Sequence, residues 1–181
     1  MIEWKLRDTF LNIATNWVRL IGESYTDQDG KDIEYYRVEK TESVIVLPIY
    51  KDLIYCAPAS FRPGVQRSTL DFPGGRIIEN KSIKDSALAI LGRELGVSAE
   101  RIEDMQVMDS QGWPINSSFS NQKLFGVIAY MSSGLEDSSA DTGGCFSINP
   151  EGISDLLARI DCAQCRLVLF HHLFLKYSYG L

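Results

Sequence analysis

Two stretches of this sequence hold residues able to do chemistry. The first runs from Arg62 to Glu94 and sets cations (Arg62, Arg67, Lys81, Arg93) beside carboxylates (Glu79, Glu94) around Pro73-Gly74-Gly75. The planar fork of arginine donates two parallel hydrogen bonds to phosphate oxygens. Carboxylates hold hard divalent cations such as Mg²⁺. The second stretch is Cys162-Ala163-Gln164-Cys165, a CxxC pair with the spacing of zinc or redox motifs. A tetrahedral zinc site needs two further ligands, and His171 and His172 are the only histidines. The pair also falls inside an expected helix, without the preceding strand of a thioredoxin-like unit. It is read as two small buried thiols on that helix.

The elements that must position these residues can be followed along the chain. Residues 17–25 and 33–39 are rich in aromatic and β-branched types, and Asp27-Gln28-Asp29-Gly30-Lys31 between them supplies a turn with a glycine able to take positive φ. They form a hairpin. Ser43 to Ile49 reads as a fully buried strand, turned at Lys51-Asp52 into Leu53 to Ala57. Pro58 to Thr69 reads as a loop, and Pro73-Gly74-Gly75 as a turn. Ser82-Ile83-Lys84-Asp85 has the pattern of a capping box, so a helix starts at Ser82 and ends near Gly96; Asn80 before it tolerates left-handed geometry. Strands follow at 105–108, 124–130 and 145–148, with helices at 151–159 and 161–177. The order implies an α/β architecture.

Composition bounds the rest. The chain has 181 residues, 45% apolar and 23% charged, which suits one well-buried core and a single domain 1–181. A net charge of −6 argues against nonspecific nucleic-acid binding, which needs a basic surface, but leaves room for a small phosphorylated ligand held by local cations. The first residues carry both charge signs, and no stretch nears the ~18 apolar residues of a membrane span. No membrane association and a cytoplasmic location are the expectation.

From Pro73-Gly74-Gly75 to Gly96-Val97 the chain resembles the box of Nudix hydrolases, which cleave nucleoside diphosphates linked to another group. The hairpin, the buried strand, Phe61-Arg62-Pro63, the approach Asp71-Phe72-Pro73 and the closing helix after Ile160-Asp161 resemble the ADP-ribose pyrophosphatases among them. The resemblance implies an α/β/α sandwich around a mixed sheet, with an N-terminal hairpin at 16–40 and the box at 73–97. It also implies a homodimer formed through the hairpin, where Trp17, Tyr35 and Tyr36 offer aromatic area for an interface or for stacking a base.

Against that pattern the box is degenerate. With its first glycine at Gly75 and its last at Gly96, the first glutamate falls on Lys81, the Arg-Glu pair on Ala89-Ile90 and the final pair of glutamates on Arg93-Glu94. A shifted register that keeps Arg93-Glu94 as the pair needs four extra residues after Gly75. Glu79 remains acidic. Positions 90, 93, 94 and 97 share one helical face, the face that presents metal ligands in the family. Lys81, Ile90, Arg93 and Glu94 together carry +1 where four glutamates would carry −4, so the site should repel Mg²⁺ and attract anions. The acidic residue expected before the strand at Leu124 is replaced by Ser120-Asn121-Gln122. The nearest match to the glutamate that assists the attacking water is Asp141, in a Gly/Ser/Asp-rich segment.

Three functions follow. A binding module would hold a nucleoside diphosphate derivative such as ADP-ribose with Arg93, Lys81, Arg62 and Arg67. A divergent hydrolase would use Mg²⁺ or Mn²⁺ on a rearranged set, Glu79 and Glu94 with Asp141 or Asp137, Glu94 and Asp141 being the catalytic candidates. An interaction protein would have no nucleotide site, its former catalytic face made apolar by Ala89 and Ile90.

Overall fold

β-Branched and aliphatic residues occupy every buried position of Ser43–Tyr50 except Pro48, and this segment is the strand on which the largest part of the chain is built. The computed structural model describes residues 4–135 and 143–179. In chain order the strands are β1 (Lys5–Ala14), β2 (Arg19–Thr26), β3 (Asp32–Glu39), β4 (Ser43–Tyr50), β5 (Leu53–Tyr55), β6 (Ser60–Arg62), β7 (Arg67–Thr69), β8 (Gly74–Arg76), β9 (Ile102–Val107), β10 (Trp113–Pro114), β11 (Lys123–Met131) and β12 (Cys145–Ser147). The helices are α1 (Ile83–Leu95), α2 (Pro150–Arg159) and α3 (Ala163–Tyr179). Among the described residues no helix is long and apolar enough to cross a membrane.

The chain resolves into two compact units. One is formed by the chain up to Glu42 together with Trp113–Lys123, the other by Ser43–Gly112 and Leu124–Leu181. No linker composition marks the boundary, because the first unit is discontinuous and its second piece is an ordinary-looking loop.

In the first unit β1, β2 and β3 form an antiparallel sheet in that order. The β2–β3 hairpin closes as the sequence implies: Gly30 has φ 80°, and the Asp27 carboxylate accepts the backbone N–H groups of Asp29 and Lys31, each at 2.9 Å. β1 has no counterpart in the sequence reading. Its residues are exposed almost throughout, so no buried face imposes the alternation that announces a strand. The returning segment is fixed by its backbone: Val38 donates to the Phe119 carbonyl at 2.8 Å, Lys40 to the Asn121 side chain at 2.9 Å, and Tyr35 to the Ser118 carbonyl. Gln122 donates to the Thr41 carbonyl at 3.1 Å. Glu23, only 5% exposed, receives Arg37 through both carboxylate oxygens at 2.8 and 3.0 Å.

In the second unit β11 runs parallel to β4, while β5 and β8 pair antiparallel with β4. β12 pairs antiparallel with β5, and β9 with β11. The sheet is therefore mixed, as expected. Side chains alternate across it. Val44 and Val46 join Ala87, Ile90, Leu91 and Leu95 of α1 in one core cluster, while Ile45, Leu47 and Ile49 are buried on the other face, and α3 also packs on β4. Two sequence expectations need correction. The stretch Pro58–Thr69 is not plain loop but contains the β6–β7 hairpin, closed by Gln66 at φ 55°. The last helix begins at Ala163, not Asp161, so the CxxC pair straddles its start: Arg166 bonds back to the Cys162 carbonyl at 3.0 Å, Cys162 is half-buried and Cys165 is buried.

Candidate functional site

The box forms a strand, a turn and a helix. β8 lies along β4 with Gly75 opposite Val44. A Cβ on Gly75 would come within 3.2 Å of both Ile90 Cγ1 and Arg93 Nη2, so glycine lets β8 approach α1 closely. The turn between them uses Asn80 at φ 59°, as expected. α1 starts with a complete capping box: Asp85 N–H donates to the Ser82 hydroxyl at 3.0 Å, and Ser82 N–H to the Asp85 carboxylate at 3.3 Å. It stops at Gly96, whose φ of 64° is left-handed, with Gly96 and Val97 donating to the carbonyls of Gly92 and Leu91.

That stop alters the face expected from helical spacing. Val97 lies beyond the helix and is buried, and Ile90 is buried inside the core cluster. Only Arg93 and Glu94 remain accessible. Their geometry is a closed set of bonds around Gly74: Arg93 Nη2 donates to the Gly74 carbonyl at 3.1 Å and to Glu94 Oε1 at 2.5 Å, while Gly74 N–H donates to Glu94 Oε2 at 3.2 Å. The surviving glutamate therefore ties β8 to α1, and its charge is met by the neighbouring guanidinium.

A second cluster is built on β6, β7 and the residues after them. Arg62 donates from Nε and Nη2 to Asp71 Oδ2 at 3.0 and 2.7 Å, and the Thr69 hydroxyl donates to the same oxygen at 2.9 Å. Arg67 pairs with Asp161 at 2.7 Å in the open, where such a pair contributes about 0–1 kcal/mol. Asp71 and Gly74 are three residues apart, so at most about 10 Å of chain separates the two clusters. Sequence reasoning did not single out Asp71, whose carboxylate organises the second one. The signal available was only its place before Phe72-Pro73.

Glu79 and Lys81 sit on the exposed turn before α1, which Lys81 N–H closes on the Ile78 carbonyl at 3.0 Å. Their place is the opposite end of α1 from Arg93, about 16 Å along the helix axis. Asp141 lies outside the described residues. Ser120-Asn121-Gln122, where an acidic residue was expected, instead holds the end of β3 and the residues after it.

The resemblance implies a divalent metal at this place. An octahedral hard cation needs several oxygen ligands. The box helix offers two carboxylates: Asp85, taken up in the capping box, and Glu94, already bonded to Gly74 and Arg93. Glu79 lies on the turn at the far end of the helix from Glu94, and a buried isoleucine stands where another ligand would be. The residues do not fit a Mg²⁺ site of that kind.

No family model matches this sequence, and no curated protein matches it. The fold has a solved counterpart. A crystal structure described as an ADP compounds hydrolase superposes with a TM-score of 0.80 over 99% of this chain and 97% of its own, at 18% sequence identity. At that structural similarity the chain has the α/β, Nudix-like fold around a mixed sheet that its sequence resemblance implied.

Proposed function

We propose that this chain binds a nucleoside diphosphate derivative such as ADP-ribose through side-chain cations, with little or no metal-dependent hydrolysis. The observation that carries this reading is the closed set of bonds among Gly74, Arg93 and Glu94. It engages Glu94, the one glutamate left at the motif's own glutamate positions, in protein bonds and leaves a guanidinium at the place of a metal ligand. Arg93 bonds through Nη2 alone, and a guanidinium has five N–H donors, so Nε and Nη1 can face a phosphate. Arg62 is likewise held from one side by Asp71, which fixes its fork without covering it; its side chain is 52% exposed. Arg62 and Arg93 are the phosphate ligands in this proposal; Lys81, at the far end of α1, and Arg67, paired with Asp161, take no direct part in it.

The N-terminal sheet is proposed as the dimer surface. Phe10 and Tyr36 stack edge-to-face and are both exposed, as is Trp17 at 69%. Large amphipathic rings of this kind are enriched at interfaces.

Calorimetry with ADP-ribose in EDTA tests the function. Binding is expected without divalent metal, and Arg93→Glu should abolish it. Undiminished affinity in that variant, or release of AMP that requires Mg²⁺ or Mn²⁺, would overturn the reading.

A further inference from the structure

The start of α3 lies beside the segment that leads into the box. Leu70 and Ile160 form a parallel bridge, so Asp71-Phe72 and Asp161-Cys162 advance side by side from it. That register brings one carboxylate oxygen of Asp71 and the sulfurs of Cys162 and Cys165 within 4.8 Å of one another. Asp71 and Cys165 are buried, while Cys162 is half-buried on the solvent side.

Arg62 and Thr69 both use Asp71 Oδ2. Asp71 Oδ1 is buried and has no hydrogen-bond partner. A buried acceptor left without a partner costs about 1–3 kcal/mol, more when it is charged. The sulfurs are already supplied with donors: Cys162 receives backbone N–H groups of Gln164 and Cys165, and Cys165 receives that of Phe72. Such bonds stabilise thiolates.

We propose that Asp71, Cys162 and Cys165 form a binding site for a borderline-soft divalent cation of the Zn²⁺ class, with water in the fourth position. Zinc takes thiolate sulfur at about 2.3 Å and carboxylate oxygen at about 2.0–2.2 Å, so tetrahedral ligand atoms stand about 3.5–3.8 Å apart. Atoms already within 4.8 Å need to close by only about 1 Å. The cation supplies the missing partner of Asp71 Oδ1. It also turns the mutual repulsion of two thiolates and a carboxylate into attraction. Hard Mg²⁺ does not suit this sulfur-rich set. Sulfur–sulfur hydrogen bonding between Cys162 and Cys165 fits the same close geometry. Closure of the pair as a disulfide would leave Asp71 Oδ1 without a partner, which is why the metal is favoured over redox chemistry. The bound cation would fasten α3 to the segment that carries Arg62's partner. This site does not depend on nucleotide binding.

The test uses the full chain, reduced and stripped with EDTA, titrated with Co²⁺ and then Zn²⁺. One equivalent of Co²⁺ should give a thiolate-to-metal charge-transfer band and d–d bands of tetrahedral intensity, both bleached by Zn²⁺. Cys162→Ser should remove the charge-transfer band or cut it sharply, Asp71→Asn should weaken Co²⁺ on the order of tenfold or more, and Cys145→Ser should change neither. X-ray absorption on the zinc-loaded wild-type chain, which needs no variant to fold, should show two sulfurs at about 2.3 Å and oxygen at about 2.0 Å. No Co²⁺ band in the reduced chain, a band that survives Cys162→Ser unchanged, unaltered affinity in Asp71→Asn, or a zinc shell without sulfur would each overturn the proposal. So would isolation of the pair as a disulfide that, once reduced, takes up no metal.

Discussion

Glu94 accepts the backbone N–H of Gly74 at 3.2 Å, so the last glutamate of the box fastens the strand before the helix to the helix itself. Its other oxygen holds Arg93, which returns to the carbonyl of the same Gly74. A residue that would serve a metal in a hydrolase is thereby a structural tie. Glu94→Ala should cost about 1–3 kcal/mol by leaving Gly74 N–H without its acceptor. Glu94→Gln keeps a neutral acceptor and should lose less. Thermal unfolding with and without Mg²⁺ reads both, and the losses should be the same in either condition. A Mg²⁺-dependent stabilisation of the wild type that vanishes in Glu94→Gln would contradict the structural assignment.

Ile90 is 1% exposed and lies where the resemblance expects a glutamate. Ile90→Glu does not restore a metal site in this packing. It places a charge in the core cluster, and unfolding should become easier by about 3 kcal/mol or more. Millimolar Mg²⁺ should not recover the loss, as denaturant titration can check.

The Ser82–Asp85 capping box satisfies backbone donors at the start of α1 from both directions. Ser82→Ala should destabilise by about 1 kcal/mol, within the range for lost N-caps. Ser82→Asp retains an acceptor at the cap and should recover most of it, measured by chemical denaturation.

Burial pushes the His172 imidazole down to about 4, from an ordinary value of 6.5. Its Nε2 is buried with no hydrogen-bond partner. A depressed folded pKa means the neutral form is the one that folding favours. The corresponding stability is complete above pH 6.5 and is lost as the pH falls from 6.5 toward 4, by up to about 3 kcal/mol. His172→Phe should flatten the stability–pH curve over that interval, and an unchanged slope would show that another group titrates there.

In the first unit, Arg37 bonding holds the Glu23 carboxyl below its ordinary 4.5. The sign is that of a carboxylate: the pair contributes above about pH 4.5, and the contribution falls away as pH drops through the lower folded value. Glu23→Gln should cost about 2–3 kcal/mol at neutral pH, with Arg37 one-third exposed and so partly solvated in the variant. The cost should shrink under acid, followed by circular dichroism against urea.

What local physics dictates can be read directly from the residues. The run Ser43–Ile49 reads as a buried strand, Gly30 and Asn80 announce left-handed turns that the backbone adopts, and Gly96 announces the end of α1. Ser82 and Asp85 marked the start of α1 three residues apart. The replacement of box glutamates by Lys81, Ala89, Ile90 and Arg93 was also plain in the letters. Tertiary structure decided which groups those residues meet. Nothing local says that Arg62 is held by Asp71, that Glu94 is bonded to Gly74, or that Lys81 and Arg93 stand at opposite ends of one helix. The third member of the thiol cluster is remote in sequence; the Leu70–Ile160 bridge brings Asp71 beside Cys162. Hydrogen bonds and charges act over a few ångströms of space, and the chain fixes such distances only for near neighbours. For the rest, the packing of β4 against α1 and α3 had to be in place first.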